Sequence, residues 1–382
     1  MDHVLTLPLT PSEKKSFLIF FTPLFADIIS KAVLAKLTIM LNTAGLKSEF
    51  VDNITADEQV SGYGDYCRRL GINNSTTSFA NDGTKSFQDF SEKMIQELFT
   101  DGLIREKTEE MTWCNCGRVE LPSCFLDSLD YGIWRKSLLC KKDGTVKCSI
   151  CGQPLSSGKE KIYTINFPEV RQIEVLPPIY TDRVNDLAVR IAKHPTIISR
   201  RHRTGKKMVL NGEEIVVDTD FRWMSYLGYL GIDKNCHIVT GLSTLNQAVK
   251  VVAFNRLIYP NTRVSLVVHP TIKIKDGGQK LSGLRINDFL SLCDSADVAR
   301  IILAGCIQWR HSESILNSDE MDLISKSASH VKNENWADDG PLSVDKLPNL
   351  INRQKIFEWL KCLRNHSSLT KQQMFLQRTI CH

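Results

Sequence analysis

The chain has 382 residues, of which 42% are hydrophobic and 24% charged. That length holds one large or two ordinary domains, and that balance excludes a disordered chain. The formal net charge of +5 permits a nucleic-acid partner without demanding one, since dedicated binders gather basic charge on one face.

The first predicted element is a buried parallel strand over residues 16–21 (Ser-Phe-Leu-Ile-Phe-Phe), ending at Pro23. The apolar run at 17–25 is too short to cross a bilayer, and no signal-peptide cleavage pattern is seen, so no membrane partner is expected and the protein is read as cytoplasmic. Ile28, Ile29, Ala32, Val33, Leu37, Met40 and Leu41 recur at helical spacing, with Gly45 as the stop and a new strand starting at Glu49. A strand–helix–strand opening is the unit of an open α/β sheet. Residues 73–85 are polar and rich in turn formers, which predicts a loop. Phe87, Phe90, Met94, Leu98 and Phe99 mark an amphipathic helix that ends at Gly102. Residues 264–268 form a strand candidate, and residues 351–363 a helix.

Six of the twelve cysteines fall within residues 114–151. In a large chain without an export signal, that clustering points to metal rather than disulfides. Cys148-Ser-Ile-Cys151-Gly152 is a proper zinc knuckle, while Cys114-Asn-Cys116 is one residue short. Cys114, Cys116, Cys148 and Cys151 are the expected ligands, with Cys140 or Cys124 as substitutes. Four thiolates leave no open position, so the zinc would be structural. Buried free cysteines are the plainer reading. The basic run Ser199-Arg-Arg-His-Arg-Thr-Gly-Lys-Lys207 can touch phosphates but reads more simply as a solvated loop.

Two further stretches carry a resemblance. Residues 218–233 read Asp-Thr-Asp-Phe-Arg-Trp-Met-Ser-Tyr-Leu-Gly-Tyr-Leu-Gly-Ile-Asp, followed by His237-Ile-Val-Thr-Gly241. Residues 276–288 read Asp-Gly-Gly-Gln-Lys-Leu-Ser-Gly-Leu-Arg-Ile-Asn-Asp. In order and spacing they resemble the later half of a class I aminoacyl-tRNA synthetase site of lysyl and methionyl type, over about residues 15–305. That family places a Trp-Pro-Met-Arg-Trp segment before an Asp-His-Leu-x-x-Gly turn, and a Lys-Met-Ser-Gly-Ser-Lys loop after it. The resemblance implies an α/β fold built on a Rossmann-type parallel sheet. It implies core halves at 1–105 and 166–310, a zinc-bearing insertion at 106–165 and a helical C-terminal appendage at 311–382.

Residue by residue, it implies that Lys280, Ser282 and Arg285 serve the transferring phosphates. His237 and Gly241 would serve the adenosine side, and Asp218, Arg222 and Trp223 the amino-acid pocket. The bland readings are a core histidine, helix packing and a surface ion pair. The family's first signature, His-x-Gly-His, falls by ungapped counting on residues 24–27 (Leu-Phe-Ala-Asp). Asp27 there would face the phosphates only through a bridging metal, or would simply cap a helix. The expected substrates are an amino acid and ATP with magnesium, with a partner enzyme alongside and no tRNA. Two functions remain open: a stand-alone amino-acid-activating ligase, or an inactive relative that binds an amino acid, a nucleotide or a protein.

Overall fold

The computed structural model describes residues 2–9, 20–32, 35–43, 56–72, 77–116, 119–123, 138–140, 146–149, 151–199, 205–276, 279–280 and 313–316. The chain divides into two compact units. The first comprises Met1–Gly83, Val170–Ala188 and Gly231–His382, and the second Thr84–Glu169 and Val189–Leu230.

The first unit is built on a six-stranded sheet. Its strands are β1 (His3–Thr6), β2 (Lys36–Leu41), β3 (Thr77–Asn81), β9 (Glu174–Leu176), β13 (Asn235–Gly241) and β14 (Arg263–His269), in the order β3-β2-β1-β13-β14-β9. Every neighbouring pair is parallel. Strands covered on both faces read as continuous apolar runs. Thus Leu37, Ile39, Met40 and Leu41 of β2, and Ile238 and Val239 of β13, are fully buried. From β1 the chain steps outward through β2 and β3, crosses to the far edge at β9, then restarts beside β1 at β13 and steps toward β9 through β14. The gap between β1 and β13 is therefore the topological switch point, outside whose carboxyl ends open α/β sheets bind ligands. Helix α1 (Phe21–Ala32) packs on β1, β2 and β13. Helix α2 (Ala56–Arg69) contributes Tyr63, stacked on Phe20 with ring centroids 4.7 Å apart.

The expected α/β fold with a Rossmann-type parallel sheet is present, but its opening elements sit elsewhere in sequence. Phe21 begins helix α1, with Phe20 just before it, rather than ending a strand, and the first strand is His3–Thr6. Pro23 misled because it lies in the first turn of α1, where no intrahelical partner is needed for its missing N–H. Leu37, Met40 and Leu41 belong to β2 rather than to a long helix. β3 lies inside the stretch expected to be a loop. Gly45, Glu49 and the helix expected at 351–363 lie outside the described residues. Of the C-terminal span expected to be helical, Glu313–Leu316 is described, and it forms a strand parallel to Thr271–Asp276.

The second unit carries helix α3 (Lys85–Thr100), matching the predicted amphipathic helix. Thr84 caps it by accepting from Phe87 N, and Gly102 follows with a φ of +70°. Its four-stranded antiparallel sheet runs β10 (Thr196–Ile197), β8 (Ser156–Ile165), β4 (Ile104–Trp113), β5 (Glu120–Pro122). Hairpins β6 (Leu138–Cys140) with β7 (Val146–Cys148), and β11 (Gly205–Leu210) with β12 (Glu213–Asp218), complete it.

Candidate functional site

The cysteine cluster forms where β4 and β7 end. Cys114 N donates to Val119 O at 2.9 Å, turning the chain back into β5. Cys148 N donates to Gln153 O at 3.0 Å and Gly152 N to Cys148 O at 2.9 Å, closing the second turn. That turn needs glycine because residue 152 has a φ of +69°. The sulfurs of Cys114, Cys116, Cys148 and Cys151 all lie within 4.8 Å of one another. Cys114 and Cys151 approach to 3.2 Å, Cys116 and Cys148 to 3.6 Å, and all four are free thiols. These separations far exceed the ~2.05 Å of a disulfide. Together with the 4.8 Å limit they lie around the about 3.8 Å between sulfurs that tetrahedral bonds of ~2.3 Å to zinc impose. The donor set therefore fits a soft divalent ion, and the short Cys114-x-Cys116 spacing still brings both sulfurs inward. Val119 and Leu121 pack with the buried Cys114 and Cys148 into a small core.

In the first unit the carboxyl end of β13 is Gly241, paired in register with His269 at the end of β14. A Cβ at 241 would lie 2.9 Å from His269 Cε1 and 3.3 Å from Nε2, so only glycine lets the ring lie there. The imidazole is held on both sides. His269 Nδ1 bonds Pro270 O at 2.9 Å, and Nε2 bonds Thr22 Oγ1 at 2.9 Å. A carbonyl can only accept, so Nδ1 carries the proton and Nε2 accepts from the threonine hydroxyl. Phe25 stacks on the ring at 5.7 Å. Burial holds the His269 pKa down at about 4. After Gly241 the chain enters a short 3-10 turn, Leu242–Thr244, and then helix Leu245–Ile258. Thr244 Oγ1 donates to Gly241 O at 3.1 Å.

His237 does not join this edge. It is the third residue of β13, four residues before Gly241, or about 13 Å along the strand. It is buried at 3% exposure, with Nδ1 2.6 Å from Ser265 Oγ and Nε2 3.8 Å from Asp2 Oδ2. Asp27 is also displaced from its expected place. It is the seventh residue of α1, neither at the turn before the helix nor at its cap, and is fully buried. Its charge adds to burial in holding the Cys67 thiol well above the usual range.

In the second unit Asp218 caps the helical turn Thr219–Arg222, its Oδ1 accepting from Asp220 N at 2.9 Å. Arg222 is 2% exposed. Its Nε and Nη2 donate to Ser91 Oγ at 3.0 and 2.7 Å, and its guanidinium lies 5.7 Å from the Phe87 ring centre. Trp223 is half-buried. Lys206 bonds Gln88 and lies 3.8 Å from Glu92, and Lys207 bonds Glu214 at 2.7 Å, so that end of the basic run is paired.

Lys280 lies in the first unit, on the two-residue strand Gln279–Lys280, opposite Lys275 of Thr271–Asp276. Ser282 and Arg285 lie outside the described residues. His269 and Thr22 were not anticipated; a histidine closing the apolar run Val264–Val268 just before Pro270 was the available signal. No helix among the described residues is long and apolar enough to cross a membrane.

No protein-family model matches the chain, and no curated protein sequence matches it significantly. Solved structures do match. A Mycobacterium tuberculosis methionyl-tRNA synthetase bound by methionyl-adenylate aligns with a TM-score of 0.61 at 11% identity, covering 99% of this chain and 88% of its own. Another structure of that enzyme in complex with methionyl-adenylate gives 0.60 at 12% identity, covering 98% and 82%. Its apo form gives 0.58 at 11%, covering 98% and 79%. Identity this low speaks for fold alone. The chain has the fold of a class I methionyl-tRNA synthetase.

Proposed function

We propose that the chain is a stand-alone ATP-dependent amino-acid-activating ligase of small-molecule metabolism, diverged from the synthetases whose fold it shares. One observation carries the reading. The β1/β13 switch point of an all-parallel sheet ends in Gly241, which leads directly into a helix. Such an edge suits a nucleotide. The neighbours of like fold that hold methionyl-adenylate support the same chemistry. In that chemistry an amino-acid carboxylate oxygen attacks the α-phosphorus of ATP, and the bond to the β-phosphate breaks, releasing pyrophosphate with its magnesium. Gly241 would serve the adenosine side, while His237 would act only from within the sheet, through its bond to Ser265. Lys280, with Ser282 and Arg285, would neutralise the charge that develops on the phosphates. Asp218 and Trp223 would shape the amino-acid end, with Arg222 fixing their segment from behind. The four cysteines would hold one structural zinc, which orders their two turns and takes no part in the reaction.

A second reading is an inactive relative that binds an amino acid or nucleotide. It is favoured by the start of α1 and the residue before it, where Phe20, Phe21, Leu24 and Phe25 are buried and apolar. ATP–pyrophosphate exchange across a panel of amino acids, paired with calorimetry, separates the two. Exchange with one amino acid supports the ligase. Binding without exchange selects the inactive relative.

A further inference from the structure

Thr22, Phe25, Gly241, His269 and Pro270 form one interlocked group at the carboxyl edge of the parallel sheet. His269 closes β14, Gly241 closes β13, and Thr22 and Phe25 belong to the start of α1. Four restraints converge on one imidazole: the Pro270 carbonyl at Nδ1, the Thr22 hydroxyl at Nε2, the Phe25 ring beside it, and the Gly241 backbone beneath it. His269 is 7% exposed. Such a group is over-determined for packing alone. An apolar side chain would fill the same space without two oriented hydrogen bonds. What the imidazole adds is direction, because it ties a helix to two strand ends at fixed angles. Open α/β sheets bind ligands at this edge.

We propose that His269 is a positioning residue for the ATP-dependent step, holding α1 and the β13–β14 edge in the arrangement that chemistry needs. The inference rests on the ligase reading above. His269 acts through Thr22 and Gly241 and touches no reacting atom. Its neutral form does the work: Nε2 must remain an acceptor for the threonine hydroxyl. Loss of that tie leaves the first turn of α1 free to shift against the strand ends. A shift of about 1 Å at a reacting centre costs up to about a hundredfold in rate.

The test uses the full-length protein and four variants, His269→Ala, His269→Gln, Thr22→Val and the Thr22→Val/His269→Ala double variant. Pyrophosphate exchange is measured with the amino acid that supports it, and melting temperature is recorded alongside. Glutamine can restore an acceptor near the Nε2 position, so His269→Gln should keep most of the rate. His269→Ala should lower kcat about ten- to a hundredfold while the amino-acid KM stays within about twofold. Thr22→Val should reproduce most of that loss, and the double variant should be no worse than His269→Ala, because both remove one tie. Unchanged kcat in His269→Ala overturns the inference and leaves the ligase reading standing. Additive losses, or a KM that rises in step with the fall in kcat, also overturn it by reducing His269 to general packing. Should His269→Ala fail to fold, His269→Gln and Thr22→Val decide: full activity in Thr22→Val is then the overturning result. Wild type without exchange for any amino acid removes the ligase reading, and this inference with it.

Discussion

Arg222→Ala should destabilise the protein rather than weaken a substrate contact. Arg222 is 2% exposed, and its guanidinium gives two donors to one Ser91 hydroxyl. Hydrogen bonds from a charged donor contribute about 1.5–3 kcal/mol. The approach to Phe87 adds about 0.5–1 kcal/mol. Truncation also leaves the space of the buried stem, about 1 kcal/mol or more. Against these stands the relief of removing a desolvated cation. Ser91 keeps its own donation to Gln88 O at 3.0 Å, so the hydroxyl is not stranded. The net expectation is a loss of about 2–3 kcal/mol. Arg222→Lys should lose about half as much, since one ammonium cannot present both donors in a plane. Urea unfolding followed by tryptophan fluorescence is the assay, with Trp223 adjacent as reporter. A change under about 0.5 kcal/mol, joined to a weaker amino-acid affinity, would place the guanidinium in the pocket and refute this reasoning.

Three other outcomes follow. Metal-replete protein should contain one zinc; stripping it with a chelator, or changing Cys148 to Ser, should unfold the two cysteine turns, and elemental analysis without zinc would reject the site. Lys280→Ala should lower pyrophosphate exchange about a hundred- to a thousandfold with little change in amino-acid binding; an unchanged rate would remove the lysine from that role. Stability should fall in acid. Burial lowers the pKa of His269 to about 4, and burial together with Lys36 lowers that of His3 to about 4, against an ordinary 6.5. The unfolded chain therefore takes up protons first, so the contribution is whole above pH 6.5 and is lost as pH falls toward 4. Each histidine accounts for at most about 3 kcal/mol, and His269→Gln should remove its share of the slope measured by unfolding at pH 7 and pH 5.

The sequence disclosed elements whose pattern had one interpretation. Helix α3 was legible because Phe87, Met94 and Leu98 share a face and Gly102 stops it. The cysteines were legible because their chemistry is specific, and even the short Cys114-x-Cys116 pair converged on the others. The opening was misread for a physical reason: a strand buried on both faces carries no alternation, so Leu37, Met40 and Leu41 continue the apolar run of α1 and mimic its period. The four residues of β1 are too few to carry a pattern. β3 is polar text, Thr-Ser-Phe-Ala-Asn, at the sheet edge, where burial does not dictate composition. At the site, Gly241 was picked for its place in a motif. Its steric reason, the His269 ring lying against it, exists only once β13 and β14 are paired.

ATP–pyrophosphate exchange by the full-length, metal-replete protein, run over the proteinogenic and common non-proteinogenic amino acids, tests the central claim most directly. The account predicts exchange that depends on one amino acid or a narrow set, and that collapses in Lys280→Ala. Calorimetric binding of an amino acid or ATP with no exchange for any of them would contradict it and leave a binding protein on a synthetase fold.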